Sequence, residues 1–369
     1  MGHTVEPFSF RKNGKLIIVN SVLENIDTLT EEELKEVLLR FKDVLSPIMT
    51  SIYIPSVSMM KIIKEEAPEM RVRFKTEKSG GSFILPITCD EFFEGEAYFD
   101  SILNGINLNW TELQKYKYLY NSLGMMLSYD LNVTLDGAFS SIHEKYARNI
   151  FTSIARNWGI CSSFAAGYDY LCYRAGLESE IVSEEEHDYV VISVHEKGDY
   201  LVDPTWDAAF LKFGIKTRNF GISKEQFING GHHLEQTEVE DYEIEALTED
   251  ELEELDQSIG YLDLFGGAYT NIQAIIDHLD GDSVFLKIAS LLDVLKELKV
   301  VGRPSLNDYE NLLNDIVLND PVLRGNVKLF GTVLENHNRA ILVRVSMNEK
   351  IEQYVLEEGF YLKKEGMKK

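Results

Sequence analysis

Three side chains in one stretch of this chain could do chemistry together: Cys161, His187 and Asp203. A thiol needs a base to take its proton, and the base works best when a third group fixes its orientation. Cys161 opens the run CSSFAAGYDYLCYRAG. His187 opens HDYVVISV. Asp203 closes GDYLVD, just before Pro204-Thr205-Trp206-Asp207. In that order they read as nucleophile, base and orienter. The chemistry of such a set is attack on an acyl carbon, through a tetrahedral oxyanion to an acyl-enzyme.

The elements that must hold these groups can be read from the same stretch. Phe164, Ala165, Tyr168, Leu171, Cys172 and Ala175 recur at three- and four-residue spacing, which predicts a helix with one buried face from Cys161 to Ala175. Gly159 precedes it and Gly176 ends it, as a C-terminal glycine does. Cys161 then sits at a helix N-terminus, where unpaired N–H groups and the positive end of the dipole favour a thiolate. Cys172 falls in the apolar stripe and reads as packing. Glu180–Ser183, His187–Val194 and Asp199–Val202 read as three strands, with Lys197-Gly198 as a turn. A tight turn there sets Asp203 opposite Ile192. His187 and Asp203 then point to opposite faces, because side chains alternate along a strand. A bulge or a wider loop near His195–Asp199 restores a common face.

Around this centre the chain reads as scaffold. Lys15–Val22, Arg71–Thr76 and Ser82–Ile87 are strand-like, and helices are expected over Thr30–Leu45 and Ser56–Glu66. Cys89 lies in a polar pattern, TCDEFFEGE, that reads as a loop with an incidental thiol. Residues 109–130 predict a helix, followed by a loop and a second helix over His143–Arg156. His143 reads as a structural or solvent-facing histidine. His232 and His233 are adjacent, so they point apart and chelate poorly, and neither they nor any Cys/His cluster has metal-ligand spacing. The acidic run of residues 238–258 reads as a solvated linker and helix. Beyond it come helices over Asn271–Leu279 and Ser283–Leu298, then strands over Val327–Leu334, Arg339–Val345 and Ile351–Leu362.

The chain has 369 residues, 36 Lys and Arg against 61 Asp and Glu, and a net charge of −25. That balance argues against nucleic acid and anionic membrane, which both need a basic footprint. No apolar run is long enough to span a bilayer and no signal peptide is seen, so with three cysteines of reduced type a cytoplasmic setting is expected. Glu184, Glu185, Glu186 and Asp188 flank His187. They would favour the imidazolium and attract a basic or amine-bearing partner, though a solvated loop is the plainer reading.

The central stretch resembles the transglutaminase-like superfamily, the branch of papain-like folds with a Cys-His-Asp triad. The resemblance rests on Gly159-Ile160-Cys161 opening a helix with Ala165-Ala166, on Arg174-Ala175-Gly176, on the histidine-led strand and on Asp203-Pro204-Thr205-Trp206-Asp207. Phe220-Gly221-Ile222-Ser223 and the upstream helices add to it, over roughly residues 105–235. Asp188-Tyr189 stands where many members have Ala-Trp, and Ser162 where bacterial relatives often have glutamine.

The resemblance implies Cys161 as nucleophile, His187 as base and Asp203 as orienter, with no cofactor and no metal. It implies a protease, amidase or protein transglutaminase acting on a peptide or protein substrate. A binding or assembly module with a vestigial triad is the alternative, which separation of His187 from Cys161 would favour. The expected fold is α+β: a papain-like core over residues 105–242, an N-terminal α/β region over 1–104, and a C-terminal α+β region over 243–369.

Overall fold

The computed structural model describes residues 8–13, 16–21, 51–54, 61–62, 64–65, 71–74, 87–130, 147–183, 187–229, 242–265, 271–333, 339–348, 350–357 and 362–365, with residues 32 and 269. The expected helix over Thr30–Leu45, the loop after Asp130, His143 and the pair His232-His233 lie outside these residues, Glu32 apart. The described chain is α+β, with helices packed on mainly antiparallel sheets.

Strands β1 (Phe8–Asn13) and β2 (Leu16–Ser21) form a hairpin. Strands β3 (Ser51–Ile54), β4 (Arg71–Phe74) and β5 (Ile87–Thr88) form a small sheet. Helix α1 (Cys89–Leu103) follows at once. The loop expected at Cys89 is therefore a helix. Thr88 Oγ1 accepts from Glu91 N–H at 3.2 Å while Glu91 Oε2 accepts from Thr88 N–H at 2.9 Å. That capping box, with Phe92, Phe99 and Ile102 buried on one side, outweighs the polar residues between them.

Helix α2 (Glu112–Met126) starts from a second capping box, Thr111 with Gln114. Strand β6 (Ser128–Tyr129) runs parallel to β7 (Trp158–Gly159). Helix α3 (Ile150–Arg156) is shorter than the helix expected over His143–Arg156. Asn149 caps it by accepting from Phe151 N–H at 3.0 Å, which starts a new helix at Ile150.

Helix α4 (Cys161–Arg174) then lies on the central sheet of β8 (Glu178–Ser183), β9 (Asp188–Val194) and β10 (Gly198–Val202). Helix α5 (Pro204–Leu211) begins directly after β10, with Asp203 as N-cap and Pro204 in the first turn, where a missing N–H costs nothing. Strand β11 (Phe220–Ile222), helix α6 (Lys224–Asn229) and β12 (Ile244–Glu245) complete the central unit. The sheet order is β11-β10-β9-β8, with β12 parallel to β10.

One face of the sheet presents Val190, Ile192, Val194, Tyr200 and Val202 to the helices, and these join the main core with Leu119, Phe151, Phe164 and Tyr168. The other face presents Tyr189, Val191 and Leu201, covered by Phe227 of α6. Strand β9 is thus buried on both sides, which explains its unbroken apolar run.

Helix α7 (Glu249–Ser258) adds Leu255, and Tyr261 follows, to the same main core. Helices α8 (Ile272–Asp277), α9 (Val284–Glu297) and α10 (Leu306–Asn319) pack on the sheet of β13 (Val327–Val333), β14 (Arg339–Met347), β15 (Lys350–Glu357) and β16 (Leu362–Glu365). This second core also takes Phe213 and Ile215 from the segment after α5. Residues on both sides of 104/105 and of 242/243 therefore share hydrophobic clusters. The buried pair Lys212–Asp308, at 3.6 Å, lies where the two cores meet.

Candidate active site

Cys161 is held by the start of α4. Ser163 and Phe164 N–H groups donate back to Ile160 O at 2.8 and 3.1 Å. Ile160, the N-cap, has no side-chain hydrogen bond to offer, so the helix leaves the N–H groups of Cys161 and Ser162 without an acceptor among the described residues. Two free donors beside a thiol are what an oxyanion needs.

The lead-in to this helix is tightly placed. Asp130 N–H donates to Gly159 O at 2.8 Å, and Asn157 turns the chain with φ 65°. A Cβ on Gly159 would meet Ser163 Cβ at 2.9 Å, so the approach of β7 to α4 needs glycine. Ser163 Oγ donates to Ala147 O, and Ser153 Oγ to Ser163 Oγ at 3.1 Å, fixing the first turn from below. Cys161 is partly exposed, whereas Cys172 is fully buried and burial pushes its thiol up. The expectation that Cys172 only packs agrees with this.

The β9–β10 hairpin answers the question of faces. Its register pairs Gly198 with Val194 and Val202 with Val190. The turn is wider than the tight Lys197-Gly198 version, with His195, Glu196 and Lys197 as its loop and positive φ at Glu196 and Gly198. The register ends at Val202 with Val190, which brings Asp203 beside the start of β9 and close in space to His187. His187 stands one residue before β9 and Asp203 one residue after β10, so neither is bound into the ladder that dictates side-chain direction.

The two side chains meet. His187 Nε2 lies 2.7 Å from Asp203 Oδ2, with the carboxylate fully buried and the imidazole 18% exposed. Asp203 Oδ1 accepts from Thr205 N–H at 2.8 Å. An acceptor at Nε2 keeps the ring proton there and leaves Nδ1 for the thiol. Cys161 is that second partner of the imidazole. Burial works against the imidazolium, but the hydrogen bonds to Asp203 and Cys161, together with their charges, outweigh it and raise His187 from 6.5 to about 10. The structure thus brings all three expected residues together.

The surroundings include groups to which sequence reasoning assigned no role. The Trp206 ring lies 5.9 Å from the His187 ring and is 38% exposed, so it walls the imidazole while facing outward. Tyr129 of β6 stands near the thiol. Burial first, then the charges of Cys161 and Asp203, raise its phenol to about 12. Asp207, the second acid of Asp-Pro-Thr-Trp-Asp, is fully buried behind Asp203 and accepts from Tyr120 Oη at 2.7 Å. An acid four residues after an N-cap and on the inner side of a short helix was the available signal.

Of the acids flanking His187, Asp188 begins β9 opposite Ser183, while Glu184, Glu185 and Glu186 lie outside the described residues. Among the described residues no group of three or more His, Cys, Asp and Glu side chains could hold a metal ion. No described helix is long and apolar enough to cross a membrane. No protein-family model matches the chain, and no curated protein matches it.

Proposed function

We propose that the protein is a cysteine-dependent acyl-transfer enzyme acting on amide bonds of peptides or proteins, built on a papain-like core of the transglutaminase-like kind. The observation that carries this reading is a single imidazole in contact with both a thiol at a helix N-terminus and a buried carboxylate. His187 takes the Cys161 proton at Nδ1. The thiolate attacks the acyl carbon, and the N–H groups of Cys161 and Ser162 receive the oxyanion. The imidazolium then gives its proton to the leaving amine. Water or a second amine, deprotonated by His187, opens the acyl-enzyme and frees Cys161. Asp203 holds the ring throughout and balances its charge. The contact between Cys161 and His187 favours this reading over a binding module with a vestigial triad.

The test is the rate of alkylation of each cysteine by iodoacetamide between pH 5 and 9, read by peptide mass spectrometry. Cys161 should react fastest below pH 7, and His187→Ala should remove that advantage. A nitrophenyl ester then reports acyl-enzyme formation by intact mass. Adding a primary amine shows whether acid or amide leaves. If Cys161 reacts like an ordinary thiol at every pH, the acyl-transfer reading fails.

A further inference from the structure

We propose that Tyr120 and Asp207 are positioning residues for the Cys161–His187–Asp203 set, acting through the backbone of Asp203. The proposal rests on the acyl-transfer reading above.

Every polar atom of Asp203 is engaged. Its side chain holds His187 through Oδ2 and the Thr205 N–H through Oδ1. Its backbone N–H donates to Asn219 O at 2.7 Å. Its backbone carbonyl accepts from Tyr120 Oη at 2.6 Å. A carboxylate at the end of a strand can swing about its own backbone dihedrals. Here both peptide groups of the residue are fixed, so the carboxylate is fixed with them.

Both of these backbone anchors lead to Asp207. Tyr120 Oη lies 2.7 Å from Asp207 Oδ2 and 3.2 Å from Asn219 O, so its one hydrogen is shared among that carboxylate and the carbonyls of Asp203 and Asn219. Asn219 donates to Asp207 twice, through its N–H at 2.9 Å and its Nδ2 at 3.0 Å, and the Arg218 N–H donates at 3.0 Å to each carboxylate oxygen. Asp207 thus ties α5 to the segment entering β11, and that segment supplies the Asn219 carbonyl to Asp203.

Tyr120 itself has little room to move. It is fully buried, and its ring packs edge-on against Phe220 at 5.0 Å and Tyr168 at 5.8 Å. Lys117, also fully buried, lies over the Phe220 ring at 4.9 Å and pairs with Asp256 at 3.4 Å. These contacts make a rigid polar support directly behind the acid of the triad.

Tyr120→Phe tests the proposal, with Tyr261→Phe as its control. Tyr261 is also buried, and its hydroxyl donates to the Leu211 carbonyl at 2.9 Å and makes no hydrogen bond to Asp203 or Asp207. Each variant loses one buried phenol hydroxyl, that of Tyr120 serving Asp203, Asp207 and Asn219 and that of Tyr261 serving Leu211. The readout is the pH profile of Cys161 alkylation by iodoacetamide, alongside thermal melting. The charged and titratable groups around the site are Cys161, His187, Asp203, Tyr129, Asp130, Arg148 and Asp207, and neither variant substitutes any of them.

Tyr120→Phe should slow alkylation at pH 6 by about tenfold, the change that one pH unit of displacement produces, while Tyr261→Phe leaves the profile in place. Equal profiles in the two variants would overturn the proposal, because support alone would then explain both. Should Tyr120→Phe not fold, Asn219→Ala removes a single donor to Asp207 and must shift the profile in the same direction. An unshifted Asn219→Ala profile in that case overturns the proposal too. The acyl-transfer reading fails separately, in the wild-type protein, if His187→Ala alkylates Cys161 as fast as the parent.

Discussion

Asp203→Asn changes one atom of the site and should disable it. The buried side chain of Asp203 has two duties, accepting from the Thr205 N–H at 2.8 Å and facing His187 Nε2 at 2.7 Å. An amide can accept at only one of its two ends. If its oxygen keeps Thr205, its NH2 faces His187, so Nε2 must become the acceptor and the ring proton moves to Nδ1. A protonated Nδ1 cannot take the proton of Cys161. If the amide turns over, two donors confront each other at Thr205, which costs about 1–3 kcal/mol for a buried unsatisfied group. The rise of His187 from 6.5 to about 10 corresponds to about 5 kcal/mol favouring the imidazolium, at about 1.4 kcal/mol per pH unit. Burial opposes that rise and Cys161 shares in it, so about 5 kcal/mol is the net of all three and not the part of the acid alone. A comparable triad loses about 10⁴ in turnover when its acid becomes an amide and the tautomer is wrong. Alkylation of Cys161 at pH 6 should therefore fall by about 10²-fold or more, with the far-UV spectrum unchanged. A rate within about threefold of wild type would refute the reasoning, since about 0.7 kcal/mol would then be all that Asp203 supplies.

Three further outcomes follow from the same geometry. The folded value of His187 lies above its ordinary one, so the stability it adds is complete below pH 6.5 and lost as pH rises towards about 10. The difference in melting temperature between the wild type and His187→Ala should accordingly shrink across that window, and a difference that grows would contradict it. Gly159→Ala forces a Cβ to within 2.9 Å of Ser163 Cβ, so urea denaturation should show a loss of about 1–3 kcal/mol, and displacement of the α4 N-terminus should slow Cys161 alkylation. Lys212→Met strips a donor from the carbonyls of Gly124 and Ala208, at 2.9 and 3.0 Å, and from that of Leu127, and leaves Asp308 without its cation. Breaking such a buried pair should cost about 3–5 kcal/mol in the same denaturation assay, and a neutral result would show that the joint between the two cores is not held by this charge pair.

Much of the site was legible because its parts obey local rules. Cys161 at the head of an apolar helix stripe needed only the 3.6-residue period, and α4 runs from Cys161 to Arg174 as that period requires. The apolar run after His187 marked β9, and β13, β14 and β15 stood out as strand-like runs, although β16 did not stand apart from β15. Helix α1 was missed because polar residues masked a Thr88/Glu91 capping box, and α5 because Asp203 reads as a strand end, without Pro204 after it being recognised as a helix start. Both errors came from weighing composition above capping chemistry.

The residues and their order were written in the sequence: a thiol at a helix start, an imidazole before a strand, an acid at a strand end. Their meeting was not. It depends on the hairpin register, which brings the end of β10 beside the start of β9, and on His187 and Asp203 lying just outside the ladder, where their side chains turn to each other. A register is chosen by both faces of the sheet at once, with Val190 and Ile192 buried against the helices and Tyr189 and Val191 against α6. The buried support behind Asp203 belongs to the same class. Tyr120 and Asp207 are 87 residues apart, and no local pattern links positions that only the packing of α2 against α5 brings within a hydrogen bond.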